Sequence, residues 1–157
     1  MVEIMSKEFT FKFSMDGKPE NYTRERYTSR GKRFYNAKAS RYGEVKQLIK
    51  EKLKDDSSFK ELQSLLKDDS LEYFLELECT YFIKIPKNDS KKIKEKKLSG
   101  ILRPTIRPDL DNYDKFINDV FHDVFFDDDK RIVKSCSEKR YAEEYRTDVV
   151  VKIFYNE

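Results

Sequence analysis

The sequence predicts an α+β fold, a mixed sheet packed with helices, and three patterns carry that expectation. Phe9 to Met15 and Glu72 to Ile85 alternate with the period of a half-buried strand. From about Ala37 to Leu66, and again from Asp109 to Val124, apolar residues recur with the period of a helix. The chain has 157 residues, which suits one domain spanning 1–157 with a core of its own.

Each element has a local reason. Phe9, Phe11, Phe13 and Met15 share one side of the first strand, which Asp16-Gly17 ends as a turn. Residues 21–35 form a basic stretch threaded with aromatics, with too little periodicity to predict a helix or a strand. From Ala37 a helix is predicted, its core stripe made by Val45, Leu48, Ile49 and Leu53. Asp55-Asp56-Ser57-Ser58 breaks it and caps a second helix carrying Phe59, Leu62, Leu65 and Leu66. The strand from Glu72 puts Tyr73, Leu75, Leu77, Cys79, Tyr81, Ile83 and Ile85 on one face; its length predicts a bend or bulge. Ser90 to Gly100 reads as a short basic helix or turn, closed by Gly100. Pro108 keeps Arg107 out of helix and Asp109 is an N-cap, so the next helix starts there. It buries Leu110, Tyr113, Ile117, Val120, Phe121 and Val124, shows Asp111, Lys115, Asn118, Asp119 and His122 on the other side, and ends near Asp123. Arg131 to Ser137 and Arg146 to Tyr155 are the last two strands.

Composition narrows the function classes. Charged residues make up 40% and apolar ones 38%, so a modest core carries a highly charged surface, and 22 Phe and Tyr residues argue against disorder. No apolar run is long enough to span a bilayer and no signal peptide opens the chain, so a cytoplasmic protein without membrane attachment is expected. Cys79 and Cys136 have no metal or redox spacing and read as reduced thiols. The net charge of +3 hides an alternation of about +7, −6, +7, −7 and +2 over residues 1–54, 55–80, 81–107, 108–129 and 130–157. An acidic block between basic ones suits a cation site on a polyanion-binding surface.

The candidate chemistry lies in Arg107-Pro-Asp-Leu-Asp-Asn-Tyr-Asp-Lys115 and in Asp127-Asp128-Asp129. Hard divalent cations take carboxylate oxygens, and Asp109 and Asp111 on one turn, with one or two of the aspartate triplet, would supply them. If the chain doubles back into a strand after the helix, Asp128 or Asp129 could return to the helix N-terminus and complete an acidic pocket. Lys115, one turn after Asp111, stands where it could meet a scissile phosphate. The same residues also admit a structural reading: Asp109 as a cap, Asp111 and Lys115 as an i,i+4 pair, and the triplet as a loop. Arg24, Arg26, Arg30, Lys32 and Arg33 could grip phosphates beside Tyr27 or Tyr35.

The pattern Arg-Pro-Asp-x-Asp-Asn-x-x-Lys, an Asp four residues on, then Asp-Asp-Lys-x-(Ile/Val), resembles the RusA family of Holliday junction resolvases. It is carried by Arg107, Pro108, Asp109, Asp111, Asn112, Lys115, Asp119, Asp128, Asp129, Lys130 and Ile132. Gly17-Lys-Pro19, Arg33-Phe-Tyr35, Ser90-Lys-Lys92, Lys139 and Tyr141 extend the likeness over nearly the whole chain. The resemblance implies a RusA-like fold and an endodeoxyribonuclease that resolves four-way DNA junctions by paired symmetric cuts, as a homodimer of phage or prophage origin. It implies Mg²⁺, with Mn²⁺ able to substitute, held by Asp109, Asp111, Asp128 and Asp129, with Lys115 as the essential basic residue and Asp109, Asp111 and Asp129 in the chemistry. Arg24, Arg26, Arg33, Lys91 and Lys92 are the candidate DNA contacts. Two other function classes remain: a non-catalytic protein that binds branched DNA, and a Mg²⁺-dependent enzyme acting on small phosphorylated compounds.

Overall fold

A computed structural model describes residues 6–22, 26–28, 33–35 and 39–156, with backbone alone at 26–28, 33–35 and 39. Strands β1 (Lys7–Asp16), β2 (Arg26–Thr28) and β3 (Arg33–Tyr35) come first, then helices α1 (Ala39–Leu53) and α2 (Ser57–Leu66). Strand β4 (Glu72–Lys84) follows, then α3 (Lys91–Leu98), α4 (Leu110–Phe121), a single 3₁₀ turn at Asp129–Arg131, β5 (Ile132–Ala142) and β6 (Arg146–Asn156). Four strands form one mixed sheet in the order β1-β6-β4-β5, antiparallel except for β4 with β5. A parallel neighbour requires a crossover, and the segment carrying α3 and α4 supplies it. The expected mixed sheet with helices is therefore present.

Alternation decides which sheet face is dry. Tyr73, Leu75, Leu77, Cys79, Tyr81, Ile83 and Ile85 are all buried, as expected, and join Phe11 of β1 and Val149, Val151 and Ile153 of β6. Val45, Ile49 and Leu53 of α1, Phe59 and Leu62 of α2 and the apolar side of α4 complete one cluster on that face. On the opposite face, Lys134 pairs with Glu76 and Lys152 with Glu78. The bulge expected in β4 is in its neighbour instead: opposite Leu75 and Glu76 the extra residue is Val133 of β5, while β4 pairs with β6 without a shift.

Caps explain the helix starts. The Asp56 carboxylate accepts from the Phe59 amide, and the Ser90 hydroxyl from the Ile93 amide. Gly100 ends the region of α3 with φ +81°, where its missing Cβ also leaves room for the Arg140 guanidinium.

Three expectations need correction. Leu48 is 56% exposed rather than part of the core stripe, because it lies about 100° from the centre of the Val45–Ile49–Leu53 face. Residues 26–28 and 33–35 pair as a small separate ladder, too short for periodicity to reveal. β5 runs to Ala142, five residues beyond its expected end, because Lys139 and Tyr141 continue the inward row beside Tyr81 and Ile83. Among the described residues no helix is long and apolar enough to cross a membrane.

Candidate active site

The amphipathic pattern of α4 is realised, except that Leu110, expected to be buried, is only half-buried. Tyr113, Ile117, Val120, Phe121 and Val124 are buried, joined by Phe116 beneath Tyr42, while Asp111, Lys115 and Asp119 are exposed. The helix ends at Phe121, and Asp123 turns the chain with φ +66°. Phe125 and Phe126 then plug the core.

Asp109 occupies the N-cap position in extended backbone, but its carboxylate makes no capping hydrogen bond. Its oxygens are thus left for other partners at the positive end of the helix dipole. One turn on, Lys115 Nζ lies 3.6 Å from Asp111 Oδ2, both side chains more than half exposed. Lys115 also stands 5.8 Å from the centre of the Tyr22 ring, and the Tyr22 amide donates to the Asn112 carbonyl at 2.8 Å. Tyr22 was not singled out from the sequence; its only signal was its place at the start of the aromatic, basic stretch.

The aspartate triplet separates into three environments. Asp127 accepts from Arg131 at 3.1 Å and from the Tyr73 hydroxyl at 3.4 Å. Asp128 caps the 3₁₀ turn through the Lys130 amide at 3.0 Å, which with the Lys130 ammonium holds its carboxyl below the usual range. Asp129 is exposed and its side chain has no hydrogen-bond or ion-pair partner among the described residues. Loss of hydration, and then the charge of Asp129, raise the carboxyl of Asp119, so these two acids feel one another.

That pairing places Asp129 within electrostatic reach of Asp119. β5 does run back along α4, since Ser137 faces Asp114 and Lys139 faces the chain before Asp109. Asp128 and Asp129 precede the strand, however, and so lie towards the C-terminal half of the helix. Asp119 is two turns beyond Asp111, about 12 Å along the axis. Among the described residues no group of three Asp, Glu, His or Cys side chains stands ready to hold a metal ion.

Asp114 was not assigned a role from sequence, and it turns inward. Its two oxygens accept from the Tyr81 hydroxyl and the Ser137 hydroxyl, each at 2.6 Å. A carboxylate clamped by β4 and β5 fixes the rotation of α4 and so aims Asp111 and Lys115 outward. A cleft of about 380 Å³ opens on the helix's other flank, lined by Met15, Pro19, Val45, Ile49 and Phe116. The candidate acids of α4 and of the aspartate triplet are not in it.

Among the proposed DNA contacts, Lys91 and Lys92 are exposed on the first turn of α3, which contains no acid. Arg26 and Arg33 lie at opposite ends of the β2–β3 ladder, paired in register with Tyr35 and Thr28. Arg24 lies outside the described residues, as do Arg30 and Lys32.

Comparison with known proteins agrees with this motif-bearing helix. An uncharacterized Bacillus subtilis (strain 168) protein, YqaN, is 42% identical over 65 residues, which cover 41% of this chain and 46% of that protein. The match therefore spans less than half the length of this relative. The family described as endodeoxyribonuclease RusA matches residues 16–153, from the turn after β1 to the last strand. The chain belongs to the RusA endodeoxyribonuclease family.

Proposed function

We propose that this protein is a Mg²⁺-dependent endonuclease that resolves four-way DNA junctions by paired cuts. The observation that carries the reading is the start of α4: an uncommitted Asp109 carboxylate, then Asp111 and Lys115 turned outward, in a chain of this family. The donor set fits a hard divalent ion, being carboxylate oxygens that are exposed and, at Asp109, not consumed by capping. Asp109 and Asp111 would hold the ion, with Asp129 as the acid of the triplet left free for it; Mn²⁺ can replace Mg²⁺ in such oxygen sites. Asp128 is the weaker ligand candidate because Lys130 already occupies both of its oxygens. When bound, the ion supplies an activated water and stabilises the leaving oxygen. Lys115 neutralises charge that builds on the phosphate, and Tyr22 limits where its ammonium can swing.

Because no three acids stand together among the described residues, DNA phosphate and water would complete the coordination that protein side chains alone leave open. Lys91 and Lys92 grip flanking phosphates, aided by a helix N-terminus with no acid to offset them. Arg24, Arg26 and Arg33 extend that grip. Two symmetric cuts require two sites, which a twofold homodimer provides.

A synthetic four-way junction and a linear duplex of the same sequence, each incubated in Mg²⁺, Mn²⁺ or EDTA, test the proposal. Paired nicks in the junction alone, absent in EDTA and in Asp111→Asn and Lys115→Ala, are the expected result. Tight junction binding with no cutting in either metal would replace it with a binding role. Hydrolysis of small phosphate esters without junction binding would replace it with the small-substrate enzyme.

A further inference from the structure

We infer that Lys139 is a positioning residue: its ammonium braces the chain entering α4, and through it the carboxylate of Asp109. Lys139 Nζ lies 2.6 Å from the Ile106 carbonyl oxygen and 3.1 Å from that of Pro108. The Pro108 carbonyl belongs to the planar peptide that leads directly into Asp109, so holding it orients the N-cap residue. Little else does so. Among the described residues, no backbone–backbone hydrogen bond involves residues 103–108. The segment also contains Pro104 and Pro108, which have no amide to donate.

The brace starts from a rigid place. Lys139 sits in the middle of β5, in register with the fully buried Tyr81 and two residues after Ser137 on the same face. Ser137 holds α4 through Asp114, and Lys139 holds the strand of chain just ahead of the helix. Two successive inward positions of one strand thus fix the rotation of the helix and the approach to its N-terminus. A lysine with two of its three donors committed to main-chain oxygens is also a poor phosphate contact, which sets it apart from Lys115.

The purpose of the brace rests on Asp109 as an ion ligand, and the experiment separates the two claims. Lys139→Met keeps the aliphatic stem and removes the ammonium. Three readouts are compared with the native protein: hydrogen exchange at individual amides, Mn²⁺ binding to the DNA-free protein by paramagnetic resonance, and the salt dependence of junction binding in EDTA. The Asn112 and Tyr113 amides, which both donate to the Asp109 carbonyl, should exchange about tenfold faster, while the His122 amide at the far end is unchanged. Mn²⁺ affinity should fall about 10- to 100-fold, as for a lost partner that orients a ligand. Junction affinity and its salt slope should stay native. Unchanged exchange at Asn112 and Tyr113 would overturn the inference. So would a salt slope shallower by about one, which would make Lys139 a phosphate contact. If the native protein takes up no Mn²⁺ with or without the junction but the exchange responds as expected, the metal-nuclease reading falls and the brace stands. Lys139→Gln is read in the same way should the methionine variant not fold.

Discussion

Replacing Tyr81 with phenylalanine removes one oxygen and little volume, yet it attacks the contact that sets the rotation of α4. The Tyr81 side chain is fully buried and its hydroxyl donates to Asp114 at 2.6 Å. Burial, then the neighbouring Cys79 and Asp114, push that phenol far above its usual range, so it remains a donor at every pH where the protein folds. In Tyr81→Phe the Asp114 carboxylate keeps only the Ser137 hydroxyl, also at 2.6 Å. A hydrogen bond to a charged group contributes about 1.5–3 kcal/mol, and no cavity of consequence is left. For a domain of this length that corresponds to a drop in Tm of about 3–12 °C. Urea unfolding should show the same loss as a lower midpoint with an unchanged slope. A double-mutant cycle with Asp114→Asn should give a coupling above about 1 kcal/mol. A loss below about 0.5 kcal/mol, with no coupling, would refute the reasoning and leave helix rotation to apolar packing alone.

Three further outcomes follow from neighbouring contacts. Cys79 and Cys136 sit on adjacent strands but face opposite sides, Cys79 buried and Cys136 exposed. Burial, then the Asp114 charge, push the Cys79 thiol up to about 12, so at pH 8 a disulfide reagent should titrate one thiol in the native protein and two in denaturant. Asp56→Ala removes the cap on the Phe59 amide and should cost about 0.5–2 kcal/mol by urea unfolding. Leu62→Ala, at a fully buried position, should cost about 2–5 kcal/mol, while Leu48→Ala, more than half exposed, should cost less than about 0.5 kcal/mol.

Much of the fold was legible because its long elements are strongly periodic. β4 alternates without a break from Tyr73 to Ile85, and α4 keeps its apolar face from Leu110 to Phe121, so local pattern and tertiary packing agree. Asp56, Ser90 and Gly100 punctuate the helices by local chemistry that a sequence displays. The inward role of Asp114 was not legible. It lies at the boundary of the apolar face, and its partners are 33 and 23 residues away along the chain. Lys139 hides in the same manner, because a lysine on a sequence map cannot be told from a solvated one until its carbonyl partners are placed. How far along α4 the first residues of β5 fall is also not legible, since doubling back fixes the direction of the strand but not its register on the helix. Asp127, Asp128 and Asp129 looked equivalent as a triplet and differ only through Tyr73, Arg131 and the 3₁₀ turn.

That difference offers the most direct test of the catalytic reading: single-turnover cleavage of a four-way junction in Mg²⁺ by Asp129→Asn and by Asp127→Asn. With the ion held by Asp109, Asp111 and Asp129, the Asp129 variant should lose more than about 100-fold in rate with junction binding intact. Asp127→Asn weakens only the pair with Arg131 and the long contact from the Tyr73 hydroxyl, and should stay within about fivefold of native. Equal rates for the two variants, or loss of cleavage in Asp127→Asn alone, would contradict the assignment of the site.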